Sequence, residues 1–417
     1  MKNADIQRCK GTRDLLPADM QGFRFISDVF RSACVNWGYQ EVRTPVLEYL
    51  HLFTATGTLT PAMLGKVYSF LDWDGWSGER VVLRPDGTIP VVRLYIDSMR
   101  GQGIAKLFYV TQVFAFEGTG RENRERWQCG VELLGDARIA SDVEVISLAT
   151  DVWNGLGLDG IELRLSHTGV VRGIVGQLGL EKEAESKLLT QLFEGNRDAL
   201  SEVKSKSADI DRVVSIFASA SGKKSGFLKN LLSAFPQATG DLKTGLDDFT
   251  RLCSLLDAVG INYVIDLSTT PGFEYYTGVC FQFWLGGRKV GGGGRYDRLV
   301  PLMGGGDVPA CGFAIYMDPL IDLIEPKARK RGDQGVLVRG SEATPEVVKT
   351  CFDLARSLRN AGYAAEIDFS GKQETTRRWT ITVPVAGAPL LVADRVQKKQ
   401  KEAKSVAEAV NIVGVAV

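Results

Sequence analysis

Apolar residues recur at helical spacing between Asp19 and Trp37, where Ile26, Val29, Phe30, Ala33, Cys34 and Trp37 share one face. That spacing predicts an amphipathic helix behind the turn-forming Pro17. Further on the period shortens: Val67–Leu71, Val81–Leu83, Leu107–Val113 and Trp127–Leu133 read as strands, the last by alternation of Trp127, Cys129, Val131 and Leu133. Asp72–Gly78 reads as the turn of a hairpin. Helical spacing returns in Thr88–Met99, with Val91, Val92, Tyr95 and Met99 on one side, and in Asp142–Trp153. From about 168 to 259 only helical segments recur, such as the one carrying Leu246, Phe249, Leu252, Leu255 and Leu256, which predicts a helical insertion. Strand patterns resume at Tyr263–Leu267, Val279–Trp284 and Ala310–Tyr316, completing a mostly antiparallel sheet from strands far apart in sequence.

This order predicts an α+β first domain over residues 1–325, with the insertion at 168–259 inside it. A polar linker at 326–335, holding Lys327, Arg329, Lys330 and Arg331, separates it from a small α/β domain over 336–417. In that last domain Val336–Val338, Ala364–Ile367 and Leu390–Val392 read as strands around a helix that Thr344 caps, Pro345 opens, and that ends near Ala361.

A chain of 417 residues is long enough for such separate cores, and 44 % hydrophobic with 24 % charged residues is ordinary globular composition. No run of about 18 apolar residues and no signal-peptide pattern occurs, which points to a cytoplasmic protein without a membrane segment. Seven cysteines, odd in number and never spaced C-x-x-C, argue against a disulfide framework or a zinc site and read as core thiols. Two histidines, His51 and His167, are too few for an imidazole metal centre, so no metal or cofactor is implied. Fifty basic residues against fifty acidic ones leave no global field to recruit a polyanion such as tRNA.

Six patches carry candidate chemistry. They are Lys10-Gly11-Thr12-Arg13-Asp14 before Pro17; Trp37-Gly38-Tyr39 through Thr44-Pro45-Val46-Leu47-Glu48; and Leu83-Arg84-Pro85-Asp86-Gly87-Thr88. The others are Val113-Phe114 to Gly135, with Gln128-Cys129-Gly130-Val131-Glu132-Leu133; Gly272-Phe273-Glu274-Tyr275-Tyr276-Thr277-Gly278; and Gly292-Gly293-Gly294-Arg295-Tyr296-Asp297. Each alone is an ordinary set of turn glycines and core aromatics. Together and in this order they resemble the histidyl-tRNA synthetase superfamily of class II aminoacyl-tRNA synthetases.

The resemblance implies a class II synthetase-like sheet flanked by helices, a twofold homodimer through the segment around Trp37 to Glu48, and a pocket for L-histidine. It assigns the ammonium to Asp86 and Thr88, the carboxylate to the amide of Gln128, and the imidazole to Glu132 and Tyr276, with Tyr275, Arg295 and Tyr296 on the same lining. A free amino acid needs such a mixture of anion, neutral donor and aromatic wall. Arg295 and Tyr296 read as part of a glycine-rich turn, where Arg295 either meets the ligand or ties down the loop.

Activation of an amino acid brings its carboxylate to an ATP α-phosphate, and two anions that close need fixed cations. Where the superfamily carries arginines for this task, the chain has Ala115, Pro271 and Pro319. Recognition kept and activation lost resembles the regulatory subunits of short-form ATP phosphoribosyltransferase, synthetase paralogues without catalysis of their own. That likeness implies a separate catalytic ATP phosphoribosyltransferase subunit as partner and feedback inhibition by histidine. Two alternatives stay open: a working synthetase with its cations displaced to Arg121, Arg124 or Arg126, and a synthetase-like protein acting on another partner.

Overall fold

The computed structural model describes residues 8–56, 67–72, 78–115, 124–193, 240–267, 276–324, 335–371, 377–385 and 387–414, with isolated positions 65, 196, 199, 228 and 375. The chain divides into two compact units, the first made of the residues up to Leu16 and Phe23–Leu323 and the second of Pro17–Gly22 and Ile324–Val417. The linker expected at 326–335 lies outside the described residues except for Gly335.

In chain order the first unit contains α1 (Pro17–Asn36) from Phe23 onward, β1 (Gln40–Glu41), β2 (Leu47–Tyr49), α2 (Leu50–Ala55), β3 (Ser69–Leu71), β4 (Arg80–Leu83), α3 (Thr88–Ser98), β5 (Ala105–Phe114) and β6 (Glu125–Leu134). Next come α4 (Ile139–Leu156), β7 (Glu162–His167), α5 (Thr168–Gly176), α6 (Lys182–Phe193), α7 (Gly240–Ala258), β8 (Val264–Ile265), β9 (Val279–Leu285), β10 (Arg288–Arg295), α8 (Leu299–Leu302) and β11 (Ala310–Tyr316). Pro17 begins α1 rather than a turn before it, the position where its missing N–H costs nothing. Residues 73–77 of the expected hairpin turn lie outside the described residues, but β3 and β4 pair antiparallel with Leu71 opposite Arg80.

Eight strands form the main sheet in the order β1-β5-β6-β11-β10-β9-β7-β8. Only its two edge pairings, β1 with β5 and β7 with β8, are parallel. The two faces of this sheet differ in side-chain size. One face carries Phe108, Val131, Leu133, Phe281, Phe283 and Phe313, all buried. Helices α1 and α4 supply the rings that meet it: Phe30 lies edge-on to Phe108 and Phe313 at 5.9 and 6.4 Å, and Trp153 meets Phe283 at 5.5 Å. Each such ring contributes roughly 1.5–3 kcal/mol by leaving water.

The opposite face carries Gly130, Gly292, Gly294, Gly312 and Ala314 in mid-sheet, because alternation places them there along β6, β10 and β11. A floor of residues this small leaves a hollow. A Cβ on Gly312 would stand 2.3 Å from an oxygen of Glu132, and one on Gly294 2.8 Å from the Tyr276 ring, so neither position admits a side chain. The glycine run expected as a turn is therefore strand β10, paired on both sides with β9 and β11.

The second unit is a five-stranded sheet, β13-β12-β14-β15-β16, built from β12 (Val336–Gly340), β13 (Ala365–Asp368), β14 (Trp379–Val383), β15 (Leu390–Asp394) and β16 (Lys399–Ala403). Helix α9 (Pro345–Asn360) and helix α10 (Val406–Gly414) bury Val347, Cys351, Leu354, Leu358, Ala409 and Val413 against it. Thr344 holds the capping position of α9 by its backbone, but its side chain makes no cap bond. Six cysteines are buried as expected of core thiols; Cys9 is exposed, in the chain leading to α1. No helix among the described residues is long and apolar enough to cross a membrane.

Candidate functional site

The hollow above the glycine floor is a cavity of about 940 Å³, at the upper end of the volumes usual for ligand pockets. Its inner end is built around Glu132 on β6. This carboxylate is 1 % exposed and accepts hydrogen bonds from the hydroxyls of Tyr109, at 3.2 Å, and Tyr296. Burial pushes its pKa up to about 8, against the hydroxyls of Tyr296, Thr88 and Tyr109, which favour the ionised form. Tyr276 stands edge-on to Tyr296 with ring centroids 6.5 Å apart. The inner end thus presents a carboxylate that burial keeps protonated near neutral pH, walled by two tyrosine rings.

Asp86 and Thr88 lie at the start of α3 and also line the cavity. Asp86 Oδ1 accepts the Ile89 backbone N–H at 3.0 Å, which fixes the carboxylate at the helix N-terminus. Burial raises its pKa against the pull of those backbone donors. Gln128 donates its amide Nε2 to the Tyr109 hydroxyl at 3.3 Å, with Gly87 close enough that a Cβ there would stand 2.5 Å from that nitrogen. Asp86, Thr88, Gln128, Glu132, Tyr276 and Tyr296 therefore share one cavity. Tyr275 and Pro271 lie outside the described residues.

Arg295 is a correction. It does not line the cavity; its guanidinium donates to both oxygens of Asp142 at 2.9–3.1 Å, to Asp297 at 3.1 Å and to the carbonyls of Asp136 and Arg138. Burial alone would lower its pKa, and the carboxylates of Asp142 and Asp297 more than reverse that. With every nitrogen engaged, Arg295 ties the end of β10 to α4 and has no donor left for a ligand.

At the outer end Pro319 lines the cavity, while Ala115 lies at the end of β5, its N–H bonded to the Arg124 carbonyl. Asp318, also on the lining, pairs with Arg13 at 3.1 Å and accepts the Trp127 N–H at 2.8 Å, so the N-terminal basic motif is brought to the rim and neutralised there. The lining cations among the described residues are Arg126, Arg288 and Lys289. Two of these, and Tyr109, carry no motif in the sequence: Tyr109 is one aromatic within the strand Leu107–Val113, and Arg288 and Lys289 precede the glycine run expected as a turn. Among the described residues no group of three or more His, Cys, Asp or Glu side chains could hold a metal ion.

Arg84 shows how the site is framed. Its buried guanidinium donates to the carbonyls of Gln112, Thr44 and Pro45 and to the hydroxyls of Thr44 and Thr111, tying the segment before β2 to β5. Glu48 on β2 holds Arg93 of α3 through two bonds of 2.8 and 2.9 Å. Together they fix the helix that carries Asp86 and Thr88.

A family profile described as Histidyl-tRNA synthetase matches residues 11–320. The chain is 42 % identical over 406 residues, 97 % of its own length and 98 % of the other, to the ATP phosphoribosyltransferase regulatory subunit of Dehalococcoides mccartyi. It is 33 % identical over 368 residues, 85 % of this chain and 84 % of the other, to the histidine–tRNA ligase of Methanosarcina acetivorans. Among solved structures, histidyl-tRNA synthetase from Nostoc sp. PCC 7120 superimposes with a TM-score of 0.78 at 17 % identity, covering 99 % of this chain and 100 % of that one. A Bacillus halodurans structure described as an ATP phosphoribosyltransferase regulatory subunit/histidyl-tRNA synthetase gives 0.77 at 24 % identity, covering 92 % and 99 %. These two likenesses confirm the class II synthetase-like α+β fold. The chain belongs to the histidyl-tRNA synthetase family and, within it, to the ATP phosphoribosyltransferase regulatory subunits.

Proposed function

We propose that this protein is a non-catalytic regulatory subunit that binds L-histidine in the β-sheet cavity and, with a separate catalytic ATP phosphoribosyltransferase, imposes feedback inhibition on the first step of histidine biosynthesis. The observation that carries this reading is the asymmetry of the cavity. Its inner end holds Asp86, Thr88, Glu132, Tyr276 and Tyr296, suited to an ammonium and an imidazole. Ala115 and Pro319 stand where activation would need guanidinium groups. Removing one such donor typically costs about 2.7–4 kcal/mol of transition-state stabilisation.

Homodimerisation through β2 and its neighbours is part of the proposal. Leu47, Tyr49 and Phe70 share one face of the small β2-β4-β3 sheet and are 42–47 % exposed. An apolar sheet face of this kind suits an isologous twofold contact.

Mixing the protein with a short catalytic subunit should produce condensation of ATP with phosphoribosyl pyrophosphate that free histidine suppresses. The coupling is reciprocal, so the phosphoribosyl substrate should weaken histidine binding by the factor by which histidine weakens its own. An unchanged catalytic rate on mixing refutes the reading. A synthetase with displaced cations is the second reading, because Arg126 does line the cavity. Histidine-dependent ATP–pyrophosphate exchange by the isolated protein would favour it.

A further inference from the structure

We propose that Lys289 is the counter-charge for the carboxylate of the bound amino acid and sets selectivity for a free carboxylate; this rests on the histidine reading above. The inner end of the cavity supplies acids, hydroxyls and rings, but a zwitterionic ligand placed there also carries a carboxylate that needs a cation. Gln128, the residue expected for that task, is neutral and donates through its amide to Tyr109. Of the described lining cations, Arg126 and Arg288 are exposed, and Lys289 is half-buried.

The backbone explains why Lys289 points into the cavity. Leu285 pairs with Arg288 across Gly286 and Gly287, whose φ values of 55° and 78° form the two-residue turn that a tight hairpin favours. Beyond the turn the register slips. Lys289 pairs with Trp284 and Gly291 with Phe283, so Val290 is an extra residue, a β-bulge. With unbroken alternation Lys289 would share the face of Gly291 and Gly293, opposite Phe283, Phe281 and Phe313, on the aromatic side that α1 and α4 cover. The bulge turns it instead to the face of Trp284, Gln282, Gly292 and Ala314, which is the cavity floor.

On that face Lys289 Nζ stands 5.9 Å from the centre of the Tyr316 ring. Tyr316 lies directly opposite Gln128 in the β11–β6 pairing. Lys289 thus reaches across β11 toward the row where Gln128 stands, about 4.8 Å per strand spacing. Val290 is itself 1 % exposed, so core packing holds the bulge and with it the direction of the lysine. A lysine on a long stem over a tyrosine face is well suited to receive a carboxylate as a point charge.

The test is calorimetry with L-histidine and with L-histidinol, which keeps the ammonium and imidazole and carries a neutral CH₂OH in place of the carboxylate. The unaltered protein should prefer histidine by about tenfold or more. Lys289→Met keeps the stem on Tyr316 and removes the charge. It should lower histidine affinity by about 10- to 100-fold, the range for a lost bond to a charged group, while leaving histidinol affinity in place, so that the preference collapses. Lys289→Arg should retain most of it. Retained histidinol binding also shows that the variant is folded. Unchanged histidine affinity in Lys289→Met, or an equal loss for both ligands, overturns the assignment of Lys289 alone. Failure of the unaltered protein to bind either ligand instead overturns the histidine reading and this inference with it.

Discussion

With the imidazole placed at Glu132 as proposed, histidine binding should depend on pH in a way that follows from the surroundings of that carboxyl. Burial holds its pKa at about 8, so near pH 7 it is about nine-tenths protonated. A free imidazole titrates at about 6.5 and is mostly neutral at the same pH. The complex needs one proton between the two groups, whether it is written as carboxyl with imidazole or as carboxylate with imidazolium. Between about pH 6.5 and 8 the separated partners already hold that single proton, and affinity is flat. Below this window the free partners hold two, so binding must release one and weakens as pH falls. Above it they hold none, so binding must take one up and weakens as pH rises.

Each pH unit beyond either edge should cost about 1.4 kcal/mol, a factor of ten. Titration calorimetry from about pH 5.5 to 9, in buffers of low and high ionisation enthalpy, reads both the affinity and the proton count. The expected profile is bell-shaped with no net proton exchange near its middle. Glu132→Gln removes the titrating group and should abolish the Glu132 part of the alkaline fall, while the acidic flank, which belongs to the ligand, remains. The ligand's own ammonium also titrates on the alkaline side, and that contribution persists in Glu132→Gln, so the difference between the two profiles isolates the residue. Identical profiles for the two proteins would refute the placement of the imidazole at Glu132.

Three further outcomes follow from the same geometry. Asp86→Asn should weaken histidine binding by roughly 1.5–3 kcal/mol, the range for a hydrogen bond to a charged group, and an unchanged dissociation constant would place the ammonium elsewhere. Arg295→Met leaves Asp142 buried without its partner and should cost about 3–5 kcal/mol in urea unfolding; variants that remain folded should keep the histidine–histidinol preference, whereas loss of that preference alone would return Arg295 to the ligand. His167, buried at the start of α5 with Nδ1 accepting the Val170 N–H, has its pKa lowered to about 4 by burial. The unfolded chain therefore binds an extra proton between about pH 6.5 and 4, and stability should fall across that window as pH drops, an effect that His167→Asn, which can still cap, should remove.

Much of the architecture was legible where one physical rule dominated. The apolar run Ala310–Tyr316 matches β11 at both ends, and the spacing of Ile26, Phe30 and Cys34 announced α1, which begins two residues before Asp19 and ends one before Trp37. Asp86, Thr88, Gln128, Glu132, Tyr276 and Tyr296 were legible as motifs, and the fold brings these separate patches into one cavity. Strand β10 was not, since four successive glycines carry no alternation and favour turns; they form a strand because a ligand-sized hollow needs a floor without side chains. Which of its two open roles Arg295 takes was not legible either, because its partner Asp142 lies 153 residues away and nothing local announces the pair. Lys289 depended on a one-residue slip in register, which a pattern of period two cannot show. In the second unit β16 was missed because Lys399 to Glu402 form an exposed, charged edge with no apolar face.

The division of labour within the cavity bears on why such a site can regulate. A ligand shifts an equilibrium only by its differential affinity for the two states, so a regulatory site must grip its effector without transforming it. In the proposed site Glu132, held between Tyr109 and Tyr296, and Asp86, held by the backbone at the start of α3, would give that grip, and each is fixed by bonds that do not involve ligand. Activation would require cations converging on a phosphate, yet Ala115 and Pro319 supply none and Arg13 is paired with Asp318 at the rim. Binding energy that a synthetase would direct to a transition state is then available to favour one arrangement of a complex over another. Glu132 would tie that energy to protonation, because its pKa is raised by burial and an imidazole beside it would alter that balance. On the proposed reading, a site that keeps its recognition residues while Ala115 and Pro319 replace activating cations retains what a feedback sensor needs, and Glu132, which would make it selective, should also make its response depend on pH.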